Sequence, residues 1–259
     1  MVKGLYTAYT GMINEQNRMD IMTNNLANAS TVGYIKEGST SQSFDDVLTV
    51  KIKDQSVGMR NVQRLGVKNP GVKIGENYTD YSQGSFRITG NTYDLALSGE
   101  GFFAIEFTNK AGETDTKYTR AGQFTLNKDG YLVTEEGDYV LDTQNRRIRL
   151  NTLIDSSITD DGTIYQNGQA VAKIQVTDFE DYDYLEKYGE TYYQPIQGAK
   201  TIAAKAQVKS GYLEMANVQI VSEMVNLISI TRAYESNQKV VQTIDDTLDV
   251  AVNQIGRVQ

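Results

Sequence analysis

The sequence IVSEMVNLISITRAYESNQKVVQTIDDTLDVAVNQI occupies residues 220–255 and carries an apolar side chain at every seventh position. A second line of residues is offset from the first by four, which is the alternating spacing of a helix that buries one narrow seam. The pattern predicts a helix over about residues 212–255, roughly 65 Å long and far longer than an average globular helix. The first line is Ile220, Leu227, Tyr234, Val241, Leu248 and Ile255, and the second is Met224, Thr231, Gln238, Asp245 and Val252.

The N-terminal segment carries a stripe with the complementary three-four spacing. A helix of this kind is marginal in water by itself and is stabilised by burying its apolar side. We therefore expect the two ends of the chain to pair as a coiled-coil-like stalk or to pack on neighbouring copies, and to be poorly ordered in a lone monomer. A core helix within one domain is the alternative. The predicted assembly seam joins the first C-terminal line to Leu5, Met12, Met19 and Leu26, and Ala8, Glu15 and Met22 complete the N-terminal stripe.

The composition excludes most familiar hydrolase mechanisms, because the 259 residues include no His or Cys; Trp is also absent. Without His there is no Ser-His-Asp or Cys-His catalytic arrangement, and without Cys there is no disulfide or thiolate zinc site. The formal net charge of −8 disfavours nucleic acid and anionic membranes as partners. The N-terminus also lacks the apolar core of a secretory signal. We predict no cofactor, metal or small-molecule substrate, and no catalytic site of the familiar hydrolase types.

Between residues 35 and 211 the helical period gives way to alternation with a period of two, which predicts half-buried strands. The clearest runs are at 93–97, 103–107 and 170–176, and Asn167-Gly168 is the best hairpin signal. Strands joined by short turns favour antiparallel pairing. We therefore predict an α+β chain by content, in which long terminal helices flank a central all-β antiparallel domain, a sandwich or flattened barrel.

Four stretches of the middle region are less regular. Residues 44–77 hold an apolar cluster followed by a polar, glycine-dotted segment, and we interpret them as a possible extended connection or interaction arm. Residues 178–184 hold four acids and three aromatics, which predicts a solvated loop. Residues 127–130 and 160–162 each resemble a fragment of a calcium loop without the downstream acidic ligand, so turns are expected there.

Three separated blocks of sequence are similar, in order, to the signatures of one family. The N-terminal stripe ends in NNLANASTVGY at 24–34, a central block includes DLALSGEGFF at 94–103 and YTRAGQF at 118–124, and the C-terminal block begins with GYLE at 211–214. Together they closely resemble the flagellar rod and hook proteins, the axial family of the bacterial flagellum. The matching positions are Asn24, Asn25, Leu26, Ala27, Asn28, Thr31, Gly33, Tyr34, Asp94, Gly99, Gly101, Phe102, Phe103, Arg120, Gly122, Glu214, Asn217, Val218, Arg232 and Glu235.

The resemblance implies a structural subunit of the basal-body rod, in the periplasm or cell-wall zone, exported unfolded by the flagellar type III apparatus. It would assemble with itself and with other axial proteins, rod and hook, into a helical tube that transmits torque from motor to hook. Residues 1–34 and 212–259 would form the inner wall, and the β-rich residues 35–211 the outer domain. The length of 259 residues is similar to that of rod subunits, and the proximal rod type is preferred to the distal type.

Two other functions stay open at this point. One is a hook subunit of the same family, and the other is a β-rich carbohydrate-binding or glycosidase-like protein that uses paired carboxylates. No carboxylate pair stands out by its spacing. In the tube, Thr231, Gln238 and Asp245 share one heptad position, where they would either set the register of helix pairing or face water.

Overall fold

The computed structural model describes residues 2–52, 62–109 and 112–255. The chain forms two compact units. The helix unit contains the described residues of Met1–Leu26, Glu37–Asp80 and Ile220–Gln259, and the β unit contains those of Ala27–Lys36 and Tyr81–Gln219. The helix unit is therefore built from three separate parts of the chain, at both of its ends and between residues 37 and 80.

Two long helices dominate the helix unit: α1 at Val2–Ala27 and α2 at Ile220–Val250, which continues as a π-helical turn at Ala251–Ile255. Within the described residues, no helix has the length and apolarity needed to cross a membrane. The prediction that the second helix starts near residue 212 is wrong. Tyr212–Glu214 forms a strand because its backbone pairs with that of Phe86–Ile88, and α2 begins where the seven-residue repeat begins.

The helices α1 and α2 lie alongside each other in antiparallel directions. A Cβ atom added at Gly4 would lie 3.6 Å from Cδ1 of Ile244, and one added at Gly11 would lie 2.9 Å from the amide nitrogen of Asn237. Seven residues forward along α1 thus correspond to seven residues back along α2. The two helices keep this register over about two turns.

The side of α2 that is covered within the chain contains most of the first predicted line and not the second. Leu227, Tyr234, Val241 and Leu248 are partly buried, whereas Ile220 is 48% exposed. Within one chain the covered line beside them is offset by three and not by the predicted four, and only Thr231 of the predicted second line is partly buried. Residues three and four positions after the first line both lie beside it on the helix surface, and polar residues interrupt both sets. The spacing of apolar residues therefore could not show which of the two sets is covered. The covered second line is Glu223, Ile230, Asn237 and Ile244, whereas Met224, Gln238, Asp245 and Val252 are exposed.

Two antiparallel strand pairs complete the helix unit. Its strands are Glu37–Ser43 (β1) paired with Val72–Thr79 (β4), and Val47–Ile52 (β2) paired with Val62–Lys68 (β3). The described part of the stretch 44–77, interpreted from the sequence as a possible connection, thus contains two strands and most of a third. Side chains of α1 contact β1 and the segment before β4: the Asn14 amide donates to Oγ of Ser41 at 3.0 Å, and Oγ1 of Thr7 donates to the carbonyl of Pro70 at 3.1 Å.

The described residues of the β unit form sixteen strands and one 3-10 turn at Tyr182–Tyr184. The strands are Phe86–Ile88 (β5), Leu95–Ser98 (β6), Phe102–Thr108 (β7), Thr114–Thr119 (β8), Phe124–Leu126 (β9), Leu132–Thr134 (β10), Tyr139–Val140 (β11), Ser156–Ile158 (β12), Thr163–Gln166 (β13), Gln169–Lys173 (β14), Val176–Phe179 (β15), Leu185–Tyr188 (β16), Tyr192–Pro195 (β17), Thr201–Ala203 (β18), Gln207–Ser210 (β19) and Tyr212–Glu214 (β20).

Nine of these strands form one sheet, in which β7 pairs with β8, β11 and β15. The remaining strands form a three-stranded sheet of β12, β13 and β14 and the pairs β6 with β19 and β5 with β20. The strand pairs of the described residues run antiparallel. The predicted mixed content, with a mostly β central region between an N-terminal and a C-terminal helix, is confirmed.

Strand β7 is buried on both faces. Phe103 packs edge-to-face on Phe124 with ring centroids 5.2 Å apart, inside a mostly aliphatic cluster. Its neighbour Phe102 belongs to a second, aromatic cluster, in which the ring of Tyr193 lies 5.4 Å away. Leu95, Ala96 and Leu97 of β6 are also fully buried. The predicted half-burial is wrong for these two strands, because the β unit packs side chains against both of their faces.

The turn predictions hold at the hairpin and at both calcium-loop-like segments, and at 160–162 the Gly162 N–H donates to the carbonyl of Thr159 at 2.8 Å. Asn167 and Gly168 have φ angles of 51° and 76° and join β13 to β14, as the Asn-Gly pair predicts. The side chain of Asn127 accepts hydrogen bonds from the backbone N–H groups of Asp129 and Tyr131 at 3.0 and 2.8 Å, which closes a turn at 127–130. Over the described ranges, no group of three or more carboxylates is placed to hold a metal ion.

The prediction of a solvated loop at residues 178–184 is wrong for its first half. Asp178 and Phe179 belong to β15 and are 7% and 3% exposed. The Asp178 carboxylate accepts hydrogen bonds from the Tyr182 hydroxyl at 2.7 Å and from the Phe179 N–H at 2.8 Å. The carboxylate is therefore buried because the same acidic and aromatic stretch supplies its donors.

Candidate assembly site

The N-terminal motif begins at the end of α1 with a buried asparagine. Asn25 is 1% exposed, its amide donates to the carbonyl of Glu37 at 2.7 Å, and its side-chain oxygen accepts from the Glu37 N–H at 3.0 Å. The Asn25 side chain thus pairs with both backbone groups of Glu37, as a neighbouring strand would. This pair of hydrogen bonds joins the end of α1 to the start of β1 within the helix unit.

The next motif residues form a turn that requires glycine. The Asn28 carbonyl accepts from the Thr31 N–H at 3.0 Å, and the Asn28 side chain accepts from the Thr31 hydroxyl at 3.1 Å. Gly33 has a φ of +67°, and a Cβ atom there would lie 2.2 Å from the backbone nitrogen of Ala121. The Gly33 N–H donates to the carbonyl of Glu214 at 2.8 Å. Residues of all three motif blocks therefore meet here, and we call residues 27–36, 120–122 and 214–217 the motif junction.

A buried ion pair lies at the motif junction. The Arg120 guanidinium and the Glu214 carboxylate are 3.3 Å apart, with side chains only 4% and 6% exposed. The other Glu214 oxygen accepts from the Gly84 N–H at 3.1 Å, and the Arg120 guanidinium carbon lies 5.2 Å from the ring centroid of Phe102. Burial raises the pKa of Glu214, and Arg120 and the Gly84 N–H offset part of that increase. The pair holds β20 against the Arg120 turn and has no exposed group for chemistry.

Asn217 connects three segments at the edge of the motif junction. Its side-chain oxygen accepts from the Lys36 N–H at 2.8 Å, and its amide donates to the carbonyl and the hydroxyl of Ser82 at 3.0 and 3.1 Å. Val218, the next motif residue, is partly buried. Asn217 thus fixes the segments through which the chain leaves and re-enters the β unit.

The central motif block consists of tightly packed turns and core residues. Asp94 is buried and accepts from the Asn91 amide at 3.0 Å. A Cβ atom added at Gly122 would lie 1.7 Å from the carbonyl oxygen of Leu95, so this position accepts only glycine. Gly101 is buried with a φ of +138°, whereas Gly99 is exposed. These glycines allow close backbone approach inside one chain.

Other motif residues belong to the helix unit and not to the motif junction. Asn24 is exposed near the end of α1, and Arg232 and Glu235 are exposed on α2. Within one chain, the side chains of these three residues are therefore accessible to other molecules.

The predicted seam residues lie in the helix unit. Leu5, Met12, Met19 and Leu26 on α1 are partly buried, like the covered residues of α2 given above. The side chain of Ile255 falls outside the described residues. A role of this seam in contacts between copies stays a prediction.

Sequence reasoning missed a second apolar side on each helix. Its side chains are largely exposed, and their spacing of three and four residues was a usable signal that the search for one seam left aside. We call these the open stripes; they are Tyr6, Tyr9 and Ile13 on α1, and Val221, Val225 and Ile228 on α2.

This arrangement defines a class of protein: a structural subunit whose two chain ends pair as long helices and whose motif residues hold the fold together. Family comparisons give the same class. The flagella basal body rod protein model matches residues 5–34, the flagellar hook protein FlgE/F/G D1 domain model matches 96–168, and the flagellar basal body rod FlgEFG protein C-terminal model matches 209–255.

Individual relatives are similar over their whole length. The chain is 34% identical to the flagellar basal-body rod protein FlgG of Bacillus subtilis (strain 168), over 98% of this chain and 99% of the relative. It is 31% identical to the flagellar basal-body rod protein FlgF of Caulobacter vibrioides, over 100% of both chains. It is also 30% identical to the flagellar hook-basal body complex protein FlhO of Bacillus subtilis, again over 100% of both.

The chain belongs to the flagellar basal-body rod protein family. It is a structural subunit of the rod in the flagellar basal body, as the motifs predicted, and not an enzyme.

Proposed function

We propose that this rod subunit assembles with copies of itself into a helical tube whose inner wall is made of α1 and α2, paired as a coiled coil. The helices α1, at Val2–Ala27, and α2, at Ile220–Val250, supply the inner wall, and the β unit supplies the outer part. The observation that carries the proposal is the antiparallel contact of the two terminal helices together with their open stripes. A helix that is apolar on two sides needs both sides covered, and the chain covers one.

Burial of the remaining apolar sides supplies the assembly energy. Each Å² of apolar surface removed from water contributes about 25 cal/mol, so several hundred Å² per subunit contributes several kcal/mol before the ordering entropy of the ends is subtracted. For a single contact, the favourable free energy of burial exceeds the entropic cost of ordering the ends by only a small amount. Assembly is therefore cooperative, and contacts with several neighbours stabilise the tube.

We further propose that the subunit is exported unfolded through the flagellar type III apparatus and meets other axial proteins, rod and hook, at the two ends of its own segment. The absence of Cys supports this route, since an unfolded chain without thiols cannot form wrong disulfides during export. In the rod the tube transmits torque from motor to hook. The proximal segment is the proposed position, and a tomogram with a labelled subunit tests it.

The proposed assembly is tested by disrupting the covered side of α2. In a strain that lacks the wild-type gene, Leu227→Asp is expected to abolish swimming and to remove rods from purified basal bodies, because it places a carboxylate against α1. Val171→Asp is the matched control, since Val171 is 47% exposed on β14 of the β unit, and this variant should swim. Normal rods with Leu227→Asp would overturn the proposed tube.

A further inference from the structure

Each terminal helix presents an apolar surface that no part of the described chain covers. On α1, Tyr6, Tyr9 and Ile13 are 51%, 52% and 41% exposed. These three positions lie roughly opposite Gly4 and Gly11, the glycines that face α2. An exposed helix side with two tyrosines and an isoleucine in line is unusual for a surface that stays in water.

The second open stripe lies on the first two turns of α2. Val221, Val225 and Ile228 are 77%, 61% and 54% exposed, and they lie roughly opposite the buried residues Glu223 and Ile230. Valine and isoleucine at three successive contact positions give this side a smooth aliphatic surface.

The two open stripes match in length and in spacing. Tyr6, Tyr9 and Ile13 are separated by three and then four residues, and Val221, Val225 and Ile228 by four and then three. Each stripe therefore covers about 10 Å of helix. When the helices are antiparallel, Tyr6 lies opposite Ile228, Tyr9 opposite Val225 and Ile13 opposite Val221.

These residues cannot meet within one chain. The contact between Gly11 and Asn237 places Tyr9 opposite Lys239 of its own α2. Lys239 is fourteen residues beyond Val225, which corresponds to about 21 Å along the helix axis. The two stripes also lie on the outer sides of the paired helices, away from the side on which α1 and α2 touch.

We propose that the open stripe of α1 in one copy packs against the open stripe of α2 in the next copy. This inference rests on the proposed tube and specifies its contact. A shift of about 21 Å along the helix axis, alone or combined with a rotation about an axis parallel to the helices, brings the two stripes to the same level and keeps the helices antiparallel. Tyr9 then lies between Val225 and its neighbours at the centre of the contact.

A groove beside Tyr6, at one end of the α1 stripe, is suited to an aliphatic side chain. Within the helix unit, a cavity of about 360 Å³ opens beside Tyr6 and is bounded by Val47, Pro70 and the stems of Lys3 and Lys68. In the antiparallel alignment this is the end of the stripe that receives Ile228. The groove is mostly apolar and has room for a branched aliphatic side chain, which brings no polar group into it.

The proposed contact explains open-ended growth. It joins two different surfaces, so a pair of copies still carries one free stripe of each kind and does not close as a two-fold dimer. Three half-exposed side chains on each partner remove about 600 Å² from water in total, well below the roughly 1,200 Å² of a stable pair. Isolated pairs therefore dissociate, and the contact persists only in an assembly with several neighbours.

The absence of Cys allows a direct test by disulfide formation. Full-length chains carrying Tyr9→Cys and Val225→Cys together are expressed in place of the wild-type chain, and basal bodies are oxidised. The expected result is a ladder of covalent multimers on a gel without reductant, which collapses to monomer when reductant is added. The matched control is Tyr9→Cys with Ser222→Cys, because Ser222 is exposed on the same turn of α2 but lies off the stripe; this pair should stay monomeric.

The outcomes separate the contact from the tube. Rods that form normally but give no ladder with Tyr9→Cys and Val225→Cys, or give equal ladders with both pairs, overturn the contact and leave the tube intact. A wild-type chain that forms no rods overturns the tube itself.

A charge exchange keeps the contact falsifiable when the cysteine pair blocks assembly. Tyr9→Lys and Val225→Glu are each expected to abolish swimming, and the two together to restore it, whereas Ser222→Glu leaves swimming unchanged. Failure of the combined variant to swim better than either single variant also overturns the contact.

Discussion

Glu214→Gln should strongly destabilise the β unit, because it leaves the Arg120 cation buried without a counter-charge. The two side chains are 4% and 6% exposed, and their charged atoms are 3.3 Å apart. Glutamine keeps the shape and can still accept from the Gly84 N–H, so the variant isolates the loss of charge. Removing one partner of a buried ion pair costs about 3–5 kcal/mol. For a unit of this size, the loss corresponds to a fall in melting temperature of roughly 6–20 °C.

The control for this variant is another ion pair of the same unit. Glu106 and Arg147 lie 2.6 Å apart with side chains 19% and 43% exposed, so Glu106→Gln should cost about 0–1 kcal/mol. Urea unfolding of the full chain, followed by the near-ultraviolet circular dichroism of its tyrosines, gives both free energies. Hydrogen exchange at the Gly33 and Gly84 amides, which donate to Glu214, reports on the motif junction itself. Equal losses for the two variants would refute the reasoning.

Two further predictions concern the pH response and the helix register. Burial raises the pKa of Tyr192, and its bond to Asp138 at 2.9 Å adds to the effect; the stability that this gives is complete below the ordinary tyrosine pKa of about 10 and is lost as pH rises further. Tyr192→Phe should therefore lose less stability than the wild-type chain between neutral and strongly alkaline pH, measured by urea unfolding, and a parallel loss contradicts the assignment. If Gln238 sets the register between copies, Gln238→Leu should leave helicity unchanged by circular dichroism and reduce rod assembly. Asn237→Leu, beside Gly11, should instead weaken the pairing of α1 with α2. Full swimming of the Gln238→Leu variant argues against a role of Gln238 in the register.

The long helices could be predicted from the sequence because their signal is local. A repeat of seven residues fixes a helix side without knowledge of its partner, and the observed start of α2 at Ile220 coincides with the first residue of the repeat. The Asn167-Gly168 hairpin is equally local, since two residues with positive φ determine the turn.

The remaining features depend on contacts between distant segments. Nothing near Tyr212–Glu214 in sequence distinguishes a strand from a first helical turn; its partner is Phe86–Ile88, more than a hundred residues away. Likewise, the alternation in β7 could not indicate burial of both faces, because the second cluster around Phe102 is contributed by residues far along the chain. The motif positions were identified individually, but their meeting at Arg120 and Glu214 required the tertiary structure.

The discontinuous build of the helix unit imposes an order of events on folding. A chain that emerges N-terminus first releases the whole of 81–219 before any of α2, so the β unit can complete its sheets early. Until then α1 can pack only on the strands of residues 37–80, because Gly4 and Gly11 contact residues of α2 near the opposite terminus. Closure of α1 on α2 is therefore the last step, and the adhesive surface becomes complete only when synthesis or threading of the subunit has finished. This delay protects each newly exported subunit from aggregation before it reaches the end of the rod.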